Sequence, residues 1–367
     1  MLRKKRERAF YKNGSKLHEK LIATCNGRPI PIRSYSCEEL RRATNNFDRS
    51  RIFHTDGLYE WYNGSFEGRM ISIKKYLRHR DDDIFTDIAV SAKMSTHNNV
   101  LKLIGCCLET QIPISVYESA ANGSLFDRLN VTSDQREPLS WQSRLKIARE
   151  IAHAISYLHT AFSRPIVHMN IKSENVFLDQ HGVAKLTDFS DSISIPEELL
   201  TGQRWRELYR TTINFYDGDP AIPGSVNSFD VEDFESARNS FAINEVVDPA
   251  ILVGEEGSVD SFDVEDFESA RNSFAINEVV DPAILVGKDG SVDYFIVEDD
   301  FENDRKRLTI NEVVDPAILV GEKGSVVWQQ VQAVLRLALI CRKNNPEIRP
   351  DMVDVTKELR KIERFIL

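Results

Sequence analysis

The 367-residue sequence predicts an α+β chain with a strand-bearing first part, a helical part and an acidic insert. Three observations carry this prediction. Residues 69–76 (RMISIKKY) set Ile71 and Ile73 in alternation, as a half-buried strand does. Residues 139–162 place Leu145, Ala148, Ile151, Ala152, Ile155 and Leu158 on one stripe of a long amphipathic helix. Residues 228–260 recur almost unchanged at 261–293, ahead of the C-terminal helices.

The elements follow in order. Residues 1–33 form a basic N-terminal extension opening with Arg3-Lys4-Lys5-Arg6. Residues 34–118 make the small lobe: a helix with Leu40 and Ala43 at helical spacing, an Asn-Asn turn, strands at 58–64 and 69–76, a helical stretch at 84–95, and strand-like runs at 99–109 and 114–118. Residues 119–197 begin the helical lobe with the 139–162 helix and the segments IVHMNIKSENVFLD (166–179) and VAKLTDFS (183–190). A degenerate segment and the repeats fill 198–293, and 294–367 returns to helices.

Composition narrows the class. With 41% apolar residues, 28% charged residues, 13 Pro and 17 Gly, the chain is long enough to bury a full core and is neither collagenous, mucin-like nor wholly disordered. Its five cysteines form no C-x-x-C pair, are odd in number and include the adjacent Cys106 and Cys107, so neither a disulfide framework nor a zinc site is expected. A reducing, cytoplasmic compartment fits them. No apolar stretch is long enough to cross a bilayer, and no apolar core follows the basic start as in a signal peptide. Peripheral contact with the plasma membrane would rest on that basic run, at about 1 kcal/mol per cation near an anionic surface; a solvated basic end is the plainer reading. No Ser-His-Asp set, zinc signature or basic-aromatic platform for nucleic acid is present.

The net charge of −10 comes from the repeat. A looser third copy at 294–327 keeps INEVVDPAILVG, and the three copies together carry −18, leaving the rest of the chain at +8. A period near 33 is that of helix-pair solenoids. These units lack a helix pair, and acidic segments with few large apolar anchors seldom build a core.

The order of a strand lysine, a hinge-like break after 114–118, a long helix, a His-x-Asn loop and an Asp-Phe-Ser turn resembles the protein kinase fold. The motifs ATNNFD (43–48), HNNVLKLIGCCLET (97–110), VYESAANGSLFDRL (116–129) and PEIRPDMVDVTKELRKIE (346–363) are similar to those of plant receptor-like cytoplasmic kinases, and the opening LRKKRERAFYKNGSKLHEKLIATCNGRPIPIRSYS to ZED1-related pseudokinases of crucifers. The resemblance covers 1–195 and about 294–367. It implies a bilobal kinase-like fold with the activation segment and central helix of the large lobe largely missing.

The same resemblance assigns roles residue by residue. Lys74 matches the strand lysine that grips the nucleotide phosphates, with Gly57, Tyr117 and Lys172 as further nucleotide-side positions, and Asn175 and Asp188 match the magnesium ligands. His168 and Asn170 occupy the catalytic loop, Asn170 standing where an aspartate would take the substrate hydroxyl's proton. The three glycines of the phosphate loop fall on His54, Asp56 and Tyr59, and Ser190 replaces the glycine after Asp188-Phe189. Counting from His97 places Ile88 where the lysine's glutamate partner belongs, so that an ion pair to the neighbouring Asp87 is disfavoured. Arg349 lacks its usual glutamate partner and must find another acid or sit in solvent.

These departures imply a catalytically inactive adaptor or decoy in plant innate immunity. The resemblance supplies its partners: an NLR immune receptor, receptor-like cytoplasmic kinases and a pathogen effector. ATP and magnesium are expected to bind weakly or not at all. A weakly active or ATP-binding Ser/Thr kinase is the alternative, supported by Lys74, Asn175 and Asp188; a nucleotide-responsive switch without transfer is a third reading.

Overall fold

The computed structural model describes residues 2–25, 32–78, 83–129, 139–195, 294–298, 305–309, 325–341 and 349–364. Pro196-Glu197 and the expected degenerate segment with the first two repeats, 198–293, lie outside the described residues.

The basic N-terminal extension is for the most part a helix, α1 (Leu2–Cys25). Its outer half is exposed on nearly every side, whereas Asn13, Leu17, Leu21 and Cys25 recur every four residues and turn inward. Leu17 joins the cluster of Ile84, Phe85 and Ile88 on α3 (Asp83–Met94), and the Asn13 amide donates to the carbonyls of Leu108 and Thr110 at 3.0 and 2.9 Å. This inward stripe is the reason a helix forms where composition reads as a solvated end.

The small lobe is a six-stranded sheet in the order β1-β5-β6-β4-β3-β2, built from β1 (Arg33–Ser34), β2 (Ile52–Thr55), β3 (Tyr59–Phe66), β4 (Arg69–Tyr76), β5 (Leu103–Cys107) and β6 (Ile114–Glu118). Every pairing is antiparallel except the short parallel β1 edge. Gly105 cannot carry a side chain there, since an added Cβ would lie 2.2 Å from the Arg33 carbonyl. Helix α2 (Cys37–Ala43) starts at a capping box in which Ser36 and Glu39 satisfy each other's backbone amides, and it buries Leu40 and Ala43. It ends in a left-handed turn through Asn45, Asn46 and Phe47, at φ 53°, 60° and 55°.

The helical lobe hangs on α5 (Trp141–Thr160), whose apolar stripe is buried as the spacing predicts. Short α4 (Leu125–Leu129) precedes it, and two hairpin-like pairs follow: β7 (Ile166–Val167) with β10 (Ile193–Ser194), and β8 (Val176–Leu178) with β9 (Ala184–Leu186). The lobes are stitched by backbone bonds: Leu101 N–H donates to Leu186 C=O and Leu186 N–H to Asn99 C=O, both at 2.9 Å. Within the third repeat copy, β11 (Tyr294–Glu298) pairs antiparallel with β12 (Arg305–Thr309).

Helices α6 (Val326–Cys341) and α7 (Met352–Arg364) share one core with α5 through Val331, Val334, Leu337, Val355, Leu359 and Ile362. Gln330 ties all three, accepting from Trp141 Nε1 at 3.0 Å and donating to the Ile362 carbonyl at 2.8 Å. Arg349 does not sit in solvent: it is buried beside Cys341, and burial lowers its guanidinium pKa to about 10. The C-terminal helices therefore close the face of α5 that the long helix alone would leave wet. Leu359→Ala should cost about 2–5 kcal/mol of stability, read as a lowered urea midpoint with a single transition; an unchanged midpoint would mean that α7 contributes nothing to that core.

Candidate functional site

Strand β4 places Lys74 opposite Trp61 of β3 and Ser115 of β6, in the middle of the sheet with no solvent exposure. Its ammonium lies 2.9 Å from Asp87 Oδ2 and 2.6 Å from Asp188 Oδ1. The expected register of α3 is thus corrected by one residue. Asp87 faces the lysine, while Ile88, about 100° further round the helix, packs in the apolar cluster with Leu101 and Leu103.

Asp87 is the hub of this cluster. Oδ1 accepts from the Phe189 amide at 2.9 Å and from Ser91 Oγ at 3.2 Å, and Oδ2 accepts from the Tyr76 hydroxyl at 2.6 Å. Tyr117 turns toward the same helix, its hydroxyl 3.4 Å from both Asp87 Oδ2 and Ser91 Oγ, instead of lining a nucleotide seat. Burial alone would strip the proton from Lys74, but the charges of Asp188 and Asp87 outweigh it and its pKa is raised. Burial likewise works against an ionised Asp188, and Lys74 outweighs it, so that this carboxyl is held below its ordinary range. The phenols of Tyr76 and Tyr117 are pushed up by burial and then by Asp87.

Asp188 has its backbone at φ 64° and Met169 at φ 71°, left-handed values that are costly for such residues and mark both turns as held by their surroundings. Ser190 Oγ donates to Asp188 Oδ1 at 2.9 Å. The Tyr59 hydroxyl lies 3.2 Å from Asp188 Oδ2 and 3.1 Å from Asn175 Oδ1, its one proton shared between the two oxygens. Asn175 is completed by its amide, which donates to the Asn170 carbonyl at 2.9 Å.

In catalytic kinase domains a magnesium nucleotide lies between these groups: the lysine holds phosphates, and the asparagine and aspartate hold metal. Here the residues do not fit it. The hydroxyl of Tyr59 sits against both metal-ligand oxygens, and Asp56 Oδ1 accepts from the Leu58 and Tyr59 amides at 2.9 and 3.2 Å, consuming donors that a phosphate loop presents to its ligand. Gly57, at φ 84°, keeps only the turn. Lys172 is half-buried at the start of the single turn Ser173–Asn175. Among the described residues, no group of three or more His, Cys, Asp or Glu is arranged to hold a metal.

His168 is a backbone pin. It has no solvent exposure; Nδ1 accepts from the Asn170 amide at 3.2 Å, and Nε2 donates to the Thr187 carbonyl at 3.1 Å. Acceptance at Nδ1 requires the neutral ring, and burial pushes its pKa down to about 4. The Asn170 side chain is half-buried, and its amide donates to Asp191 Oδ2 at 2.9 Å. Four site residues escaped sequence reasoning: Asp87 as the lysine's partner, Trp61, Phe177 and Asp191. The density of aromatics in YEWY (59–62), with Tyr59 and Trp61 on one strand face, was the available signal.

Two of the buried histidines, His159 and His168, set a pH dependence. Burial lowers His159 to about 3 and His168 to about 4, against 6.5 for an ordinary histidine. As pH falls, the unfolded chain takes up these protons first, so stability is full above about pH 6.5 and is lost between about 6.5 and 4, by about 1.4 kcal/mol per pH unit for each ring. Urea midpoints across that range should fall, and less steeply in His168→Gln; a flat profile would contradict the neutral, buried rings.

Residues 64–206 match the family described as protein kinase domain. Serine/threonine-protein kinase ZRK1 of Arabidopsis thaliana is 46% identical over 201 residues, 53% of this chain and 57% of that protein. Non-functional pseudokinase ZED1 of the same plant is 45% identical over 197 residues, 53% of this chain and 58% of that protein, and non-functional pseudokinase ZRK2 is 45% identical over 199 residues, 52% and 55% of the two chains. The chain therefore spans between 55% and 58% of the length of these relatives. With the six-stranded sheet, the helical lobe and the lysine-aspartate pair between them, these matches show a protein kinase domain over 64–206 and a likeness to ZED1-related proteins over about half of the chain.

Proposed function

We propose that this chain is a catalytically inactive, kinase-shaped adaptor or decoy in plant immunity. The reading assigns it an NLR receptor, receptor-like cytoplasmic kinases and a pathogen effector as partners. It works in the cytoplasm, any contact with the plasma membrane running through the exposed basic residues of α1. The observation that carries the reading is Tyr59: its hydroxyl binds Asn175 and Asp188, the two groups that a transferring site reserves for metal. Asn170 adds to it, because its amide donates to Asp191 and offers no carboxylate to an incoming alcohol. Two of the relatives named above are themselves called non-functional pseudokinases.

In this reading Lys74, Asp188 and Asn175 hold the lobes in place, His168 pins the catalytic loop, and Gly57, Tyr117 and Lys172 touch no ligand. The lobes keep the boundaries 34–118 and 119–197, the segment 198–293 holds a degenerate stretch and the acidic repeats where most of the activation segment and central helix are missing, and 294–367 completes the large lobe.

A weakly active Ser/Thr kinase is favoured by one observation: the Asp191 carboxylate lies 2.9 Å from the Asn170 amide, an acid beside the position of the missing base. One relative is named a serine/threonine-protein kinase. Transfer of γ-phosphate from Mg-ATP to a generic basic protein separates the two readings. Wild type, Asp188→Ala and Asn170→Asp should all stay at background, the last because restoring the base does not move Tyr59. Turnover abolished by Asp188→Ala would establish the kinase and defeat the adaptor. Co-purification of the inactive chain with an NLR receptor tests the partner directly, and failure with every receptor of the same plant would count against it.

A further inference from the structure

Groups that touch a bound ligand become accessible when that ligand is absent. In this chain the groups of the nucleotide cleft are closed off by its own side chains. Lys74, Asn175 and Phe177 have no exposure, Trp61 has 1%, and Tyr59 and Asp188 have 2%.

The closure is built from strand β3. Tyr59 and Trp61 are two residues apart, so both point to the face of the sheet that looks at the helical lobe. Trp61 stacks edge-on against Phe177 with ring centroids 4.9 Å apart, and Phe177 follows Asn175 by two residues on β8. On its other side Trp61 meets Tyr117 at 5.1 Å. Phe53 from β2 closes on the same Phe177 ring at 5.7 Å. Tyr59 completes the seal at the charged end, its ring 4.2 Å from the Lys74 ammonium and its hydroxyl on Asn175 and Asp188. Both ends of the seal therefore cross from one lobe to the other, the indole to an aromatic ring and the phenol to two oxygens.

We infer that Tyr59 and Trp61 are a built-in replacement for the metal-nucleotide: they fill its cleft and join the lobes with no ligand bound. A bridging nucleotide normally neutralises its site through a metal cation and backbone amides. The seal does so with the one Tyr59 hydroxyl, which donates to a carboxylate that Lys74 shares with Asp87, and with a cation-π contact to that lysine. Catalytic inactivity does not require this device, since an inactive chain can still bind nucleotide, so the inference goes beyond the adaptor reading.

The test uses the full chain and Mg-ATP, followed by fluorescence of a nucleotide analogue and by melting temperature. Wild type should show no saturable binding and no thermal shift at millimolar Mg-ATP. The double variant Tyr59→Gly with Trp61→Val should melt lower and gain saturable binding that competes with unlabelled ATP. Tyr59→Phe keeps the ring and removes only the bridge to Asn175 and Asp188; it should lower the melting temperature by about 3 °C or more. Should the double variant fail to fold, wild type and Tyr59→Phe carry the test. Saturable binding by wild type, or an unshifted Tyr59→Phe, would overturn the seal. Binding by wild type without phosphate transfer would remove the seal and leave the inactive reading standing, whereas transfer would remove both.

Discussion

One ammonium group holds two lobes and a helix in register. Lys74 reaches Asp87 on α3 and Asp188 at the edge of the helical lobe, and none of the three is more than 2% exposed. Charges so placed are stable only when every partner is present, and removing one leaves an uncompensated charge at a cost of about 3–5 kcal/mol. The tie therefore does not depend on catalysis. With or without phosphate transfer, the chain needs the lysine and both acids in order to fold.

One cation between two carboxylates leaves a surplus negative charge, and the surrounding donors answer it. Tyr76, the Phe189 amide and Ser91 serve Asp87; Tyr59 and Ser190 serve Asp188. Hydrogen bonds to an ionised acceptor are roughly twice as strong as neutral ones. This is why the phenol of Tyr59 settles where it does: in a closed cleft it is the donor that reaches both Asp188 and Asn175. Tyr59 thus does more than fill space, since its hydroxyl supplies a donor between the Asp188 and Asn175 oxygens.

Much of the scaffold was legible because it rests on periodicity. The alternation at 69–76 became β4, the six-residue stripe became the buried face of α5, and the helical spacing of Leu40 and Ala43 became the buried side of α2. The site was legible as a set of positions and illegible as a set of contacts. Asp87 was misplaced because a count from His97 passes through a loop whose length fixes the helix phase, and one residue turns the helix by about 100°. Trp61 meets Phe177 only through tertiary closure, 116 positions along the chain, which no local pattern reports. Asp191 beside Asn170 is likewise a contact between loops. In α1 the basic composition hid a four-residue stripe that decides its fold.

Helix α1 is 24 residues long, about 36 Å at 1.5 Å per residue. Among the described residues it is fastened along its inner half, by Asn13, by Leu17, by Lys16 over the Phe85 ring and by the Lys93 ammonium on the Thr24 carbonyl. Its free half carries Phe10 and Tyr11 in the open, 39% and 69% exposed. Mechanically this is a lever with its fulcrum on α3, the helix that carries Asp87. The helix that meets the support of its outer arm is thus the same one that presents Asp87 to Lys74.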